Sequence, residues 1–182
     1  MQMNQLKRSA LAAAAAAALA VGSAHGSQVT LDVSGIFSND VLGSAINEIR
    51  SIHLGGARIT GIAWDVSLLA DSPSWLSEIS VDLNDGTGAG FSLSPGFGDD
   101  ASGSGSYSGM ADLVTLGLDF VLGGNGTLNF EFFETFDDYP GDWDGLWERG
   151  SLTVTYVPEP ATFGLAALAL LGVGASARRR KS

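Results

Sequence analysis

The sequence predicts an all-β domain built as an antiparallel two-layer β-sandwich, and three observations predict it. Apolar and polar residues alternate with period two along most of the middle of the chain. Glycine occurs 25 times, often beside Ser, Asn or Asp, which suits many turns between short strands. Each strand then offers one apolar face, and two sheets must stack to bury those faces.

Residues 28–34 read as the first strand. The stretch 38–50 carries two readings. Val41, Ala45, Ile46 and Ile49 have helical spacing, with Asn39 or Asp40 placed to cap it, while residues 47–54 fit a strand. The strand is preferred, because a lone helix sits awkwardly among seven or more strands. Ile62, Trp64, Val66 and Leu68 share one face, against Ala63, Asp65 and Ser67. Trp75, Ile79, Val81 and Leu83 form a second stripe, answered by Glu78, Ser80 and Asp82. A short strand follows at 91–93, then a Gly- and Ser-rich run, 96–109, expected as a long mobile loop. Val114, Leu116, Leu118, Phe120 and Leu122 form the next stripe. Leu128, Phe130 and Phe132 alternate with Thr127, Asn129 and Glu131; Leu152, Val154 and Tyr156 alternate with Ser151, Thr153 and Thr155. Asn-Asp-Gly at 84–86 and Gly-Gly-Asn-Gly at 123–126 are hairpin signals. Trp64 and Trp75 are expected in the core.

The two ends read differently. Lys7 and Arg8 supply a positive start, residues 10–21 are an apolar Ala/Leu run, and Gly22, Ser23 and Ala24 are small. That is a cleavable signal peptide, residues 1–24, with a second acceptable cleavage site after Gly26. At the other end Val157-Pro158-Glu159-Pro160 interrupts any regular backbone. The apolar stretch 161–177 follows, about 25 Å as a helix, near the minimum for crossing a bilayer. Arg178, Arg179, Arg180 and Lys181 close it and should stay cytoplasmic, leaving the domain outside. The chain thus divides into a signal peptide, an extracytoplasmic domain at 25–156 and a tail at 157–182.

A Pro-Glu-Pro motif, a short apolar helix and a basic cluster, in that order at the C-terminus, resemble the PEP-CTERM sorting signal of Gram-negative bacteria. The resemblance implies handling by exosortase, a membrane cysteine transpeptidase that cuts near the motif. Pro158, Glu159 and Pro160 are then recognition residues for processing. It also implies a setting of exopolysaccharide production. The stretch from Phe132 to Tyr156 resembles the ending of jelly-roll domains such as the P-domains of exported proteases, so the ectodomain is expected to be jelly-roll-like.

Charge narrows the partners. Between residues 25 and 156 three basic residues (Arg50, Arg58 and Arg149) face nineteen acidic ones, a net of −16. Such a domain does not bind nucleic acid, which needs clustered Lys and Arg. Cations and neutral glycans remain. The absence of cysteine excludes thiol catalysis, zinc–thiolate sites and iron–sulfur clusters.

Asp137, Asp138, Asp142 and Asp144 crowd a Gly/Pro-bent loop that either binds calcium or forms a solvated acidic turn. Asp99 and Asp100 are candidates to join from another loop. Asp82, Asn84 and Asp85 start like an EF-hand, but Leu93 stands where the closing glutamate belongs, so a hairpin turn is preferred. Tyr139, Trp143 and Trp147 flank the acidic loop, where aromatics either stack on sugar rings or pack in the core.

Catalysis has little support. If cleavage follows Gly26, His53 is the sole histidine of the mature protein, and no Gly-x-Ser-x-Gly elbow occurs. The expected function is therefore a non-catalytic surface or extracellular-matrix protein, exopolysaccharide-associated and with no cofactor beyond the calcium considered above. Signal peptidase, exosortase and the inner membrane are its processing partners. A calcium- or carbohydrate-binding module is the alternative, and a glycoside hydrolase ranks last.

Overall fold

The computed structural model describes residues 26–159. The signal peptide, the apolar run 161–177 and the basic end lie outside the described residues. Gly26–Pro158 forms one compact unit. Among the described residues no helix is long and apolar enough to cross a membrane.

Ten strands and one helical turn follow in order: β1 (Ser27–Asp32), β2 (Ile36–Ser38), β3 (Glu48–His53), β4 (Arg58–Ala70), β5 (Ile79–Asn84), β6 (Gly90–Leu93), β7 (Gly103–Asp112), α1 (Leu113–Leu116), β8 (Phe120–Val121), β9 (Thr127–Glu134) and β10 (Gly145–Val157). One sheet runs β1-β10-β4-β7, with β2 also on β10 and β8 on β4; the other runs β3-β9-β5-β6. All these strand pairings are antiparallel. They nest from the outside in. First meets last (β1–β10), then β3 meets β9, β4 meets β7, and β5 meets β6 at the turn.

The inward rows of both sheets merge into one hydrophobic core. Ile62, Val66, Leu68, Leu152 and Val154 come from the first sheet, and Ile79, Val81, Leu83, Leu128, Phe130 and Phe132 from the second. Each such side chain contributes about 1.5–3 kcal/mol by leaving water. Phe132 and Trp147 meet edge to face, 5.2 Å between ring centres.

Several expectations hold. The period-two stripes lie in β4, β5, β9 and β10, the 84–86 turn links the β5–β6 hairpin, and β3 falls within 47–54. The helical reading of 38–50 fails. Asp40 turns the chain there, its carboxylate accepting from Val41 N and Ser44 Oγ, and 39–47 form a loop between β2 and β3.

Four expectations need correction. The run 96–109 is not one mobile loop, because its second half is β7, paired with β4 over Gly103–Asp112. Low strand propensity is overridden there by aromatic packing over glycine. Gly109 lies opposite Trp64, and a Cβ on Gly109 would come within 2.5 Å of the indole. The stripe 114–122 is broken too. Asp112 accepts from Thr115 N and Gly117 closes the turn at φ 70°, so the chain coils once as α1 before the short β8. Val114, Leu116 and Leu118 stay exposed. The turn 123–126 is real, with Gly126 N bonded to Gly123 O, but it carries the chain from β8 in one sheet to β9 in the other. Trp75 is not core: it sits on a loop before β5 and is 45% exposed, while Trp64 is only partly buried.

Candidate functional site

Loops 39–47, 71–78, 94–102 and 135–144 gather at one end of the two sheets, joined by main-chain bonds. Asp71 N donates to Asp144 O, Asp144 N to Ser38 O, Thr135 N to Glu78 O, Glu134 N to Asp40 O and Leu76 N to Ala101 O. Side chains reinforce the joint. Ser74 Oγ donates to Asp138 Oδ2 at 3.0 Å and the Tyr139 hydroxyl to Ser72 O at 2.5 Å.

Beneath these loops lie two fully buried carboxylates, Glu134 at the end of β9 and Asp144 just before β10. Neither Glu134 oxygen has a hydrogen-bond partner, and Asp144 Oδ1 and Asp137 Oδ1 also lack one. Asp144 Oδ2 accepts from Asp138 N at 2.8 Å. Burial, then the charges of Asp144 and Glu78, push the Glu134 carboxyl up to about 9; the Ser38 hydroxyl beside it pulls the other way, without bonding geometry. The Asp144 carboxyl is raised as well, first by burial and then by Asp137 and Asp138, although the Asp138 amide holds it back. Gly145 is required at this spot, because a Cβ there would collide with Glu134 Oε1. Glu134 escapes a reading of the sequence because it lies outside the acidic run. Its one signal is the sequence Phe132-Phe133-Glu134, where alternation stops and all three residues are buried.

The four aspartates of the loop are treated differently by the fold. Asp144 is buried, Asp137 has one buried oxygen, Asp138 holds Ser74, and Asp142 stays exposed with Oδ1 accepting from Trp143 N. Asp99 and Asp100 are engaged by the Tyr107 hydroxyl and Ser77 Oγ. Among the described residues no group of three or more His, Cys, Asp or Glu side chains is close enough to hold a metal ion by itself. The Asp82–Asp85 stretch ends β5 and opens the hairpin turn to β6: Asp85 accepts from Thr87 N and Ala89 N, and Asp82 from Ser92 Oγ across the pair. His53 lies exposed at the end of β3.

The aromatic expectation divides. Trp147 is wholly buried, its Nε1 donating to Ser38 Oγ at 3.2 Å, so it packs in the core and meets no sugar. Its place on β10 opposite Ile36 points it inward. Trp143 leans on Phe37, 5.4 Å between ring centres, and Tyr139 is 38% exposed. Two further exposed rings, Trp75 and Phe136, the latter 60% exposed, stand beside this loop. With Pro73, Glu78 and Asp138 they line a cleft of about 420 Å³. Trp75 hides in the sequence because its even spacing from Ile79 mimics a core stripe. A larger open groove, about 620 Å³, includes Thr60, Met110, Val114 and Val157 in its lining, where the chain leaves the domain.

Val157 ends β10, and Pro158 and Glu159 follow exposed. The model of the PEP-CTERM protein-sorting motif matches residues 157–181, so the tail carries that sorting signal. No curated protein matches the chain. Among solved structures, the VP2 subviral particle of infectious bursal disease virus is similar over 78% of this chain and 34% of its own, at 12% identity and a TM-score of 0.35. The chain thus spans about a third of the length of that relative. A structure of tomato aspermy virus is similar over 87% of this chain and 96% of its own, at 12% identity and a TM-score of 0.26. Identity this low carries no function from either virus protein to this chain.

Proposed function

We propose that this chain is a non-catalytic, exported jelly-roll protein that exosortase releases from the inner membrane and leaves at the cell surface or in an exopolysaccharide matrix. The observation that carries the reading is the sorting signal at 157–181, which begins where the last strand ends. The nested pairing of first strand with last, inward to β5–β6, is the order expected of a long hairpin rolled into two sheets, as in jelly rolls. A cleaved signal peptide delivers the domain, and the run 161–177 anchors it until processing. The test replaces Pro158, Glu159 and Pro160 together by alanine in the native host. The variant stays in the inner membrane at unprocessed mass; release at wild-type mass sinks the reading.

A second reading, that the domain binds a neutral glycan of that matrix, is favoured by the cleft. Trp75 and Phe136 offer apolar ring faces to sugar C–H groups, and Glu78 and Asp138 offer acceptors to sugar hydroxyls. Polysaccharide-array binding that Trp75→Ala leaves unchanged would overturn it.

A further inference from the structure

We propose that Glu134 and Asp144 bind a calcium ion, which fastens the ends of β9 and β10 beneath the aromatic cleft. The inference is independent of the sorting reading, since it concerns the ectodomain in any location.

The argument starts from charge that nothing on the chain compensates. Four buried carboxylate oxygens (Glu134 Oε1 and Oε2, Asp137 Oδ1, Asp144 Oδ1) have no partner, although buried polar atoms normally do. An unpaired buried charge is among the costliest things a fold can hold. No lysine occurs among the described residues, and their three arginines are engaged elsewhere. Arg50 pairs with Glu48, Arg58 with Asp119, and Arg149 donates to Ser67 Oγ. A positive charge must therefore come from solution.

A proton answers only part of this. A proton on Glu134 gives no partner to Asp144 Oδ1 or Asp137 Oδ1, which stay bare. A divalent cation neutralises both buried carboxylates at once. The donors are all oxygen, with no cysteine in the chain and the described histidine, His53, exposed on β3, so the ion is a hard one. Calcium fits better than magnesium, because its coordination is irregular and accepts main-chain carbonyls, while magnesium demands an octahedron and holds its waters. Since no three acidic side chains converge, the remaining ligands are main-chain carbonyls and water. So few carboxylates suit the weak, millimolar-range affinity of extracellular modules.

The site also explains the acidic loop. Asp144 reaches inward, Asp137 and Asp138 stand within its field, and Asp142 faces solvent. The groups facing Glu134 are Asp144, Glu78, Asp138 and the Ser38 hydroxyl.

The test uses the full chain in detergent, stripped with EDTA and dialysed to equilibrium against radioactive calcium at neutral pH. The expected result is one ion per chain, with a melting temperature several degrees higher in millimolar calcium. Glu134→Gln loses the ion, while Asp142→Asn, on the surface, keeps it. Should Glu134→Gln fail to fold, Asp144→Asn replaces it and is expected to lose the ion likewise. No bound calcium at millimolar concentration overturns the proposal, as does undiminished binding by a folded Glu134→Gln. Loss of binding through Asp142→Asn overturns it too, since that would place the ion on the surface loop instead.

Discussion

Replacing Glu134 by glutamine in cation-free protein should flatten the pH dependence of stability in the neutral range. The carboxyl moves from an ordinary value of 4.5 to about 9 in the fold, chiefly through burial. A raised folded-state value means that the native protein keeps a proton which the unfolded chain gives up. Stability from this group is therefore complete below about pH 4.5 and is lost as pH climbs towards 9. Each pH unit inside that window is worth about 1.4 kcal/mol. Between pH 5 and 7 the loss is roughly 3 kcal/mol, a large share of the 5–15 kcal/mol that holds a domain together. Asp144, also raised, adds in the same direction. Asp32, Asp40, Asp85 and Asp112 are lowered by hydrogen bonds, so they act oppositely and only in the acid range. Tyr107, pushed up to about 12, acts above the window. The assay is urea unfolding in EDTA from pH 5 to 8.5, comparing wild type with Glu134→Gln. The wild-type midpoint falls steadily with pH and the variant's falls much less, overtaking it near neutrality. Parallel profiles would refute the reasoning, because the general repulsion of an acidic domain is common to both proteins.

Further outcomes follow from packing. Gly109→Ala drives a methyl into the Trp64 indole and lowers stability by about 1–3 kcal/mol, read from denaturant melts. Trp147→Ala empties the junction between the sheets and costs about 3–5 kcal/mol, whereas exposed Trp75→Ala leaves the melting midpoint nearly unchanged and lowers polysaccharide binding. At the tail, removing Arg178 to Lys181 weakens retention or inverts orientation of the anchored precursor, which protease accessibility of spheroplasts reports. If retention and orientation match wild type, the basic end plays no part in topology.

What could be read from the sequence is what depends on neighbours in the chain. Alternation marked β4, β5, β9 and β10 because a strand turns each second side chain to the same face, and a buried face needs apolar residues there. The sorting tail was legible for the same reason, since a recognition motif followed by an apolar run and four charges is local. The Asn-Asp-Gly turn at 84–86 needed only its own residues. What the sequence left open depends on distant partners. Gly103–Asp112 becomes a strand only because β4 lies beside it and Trp64 covers Gly109. Trp75 stands in an apolar stripe and Trp147 beside an acidic loop, yet the assembled sheets expose the first and bury the second. Glu134 looks like any carboxylate at a strand end. Loops from three other parts of the chain close over it, and that closure, not its neighbours in sequence, strips its water and brings it up against Asp144. Strand identity is a short-range property of alternation; burial and the electrostatics it creates belong to the assembled sheets.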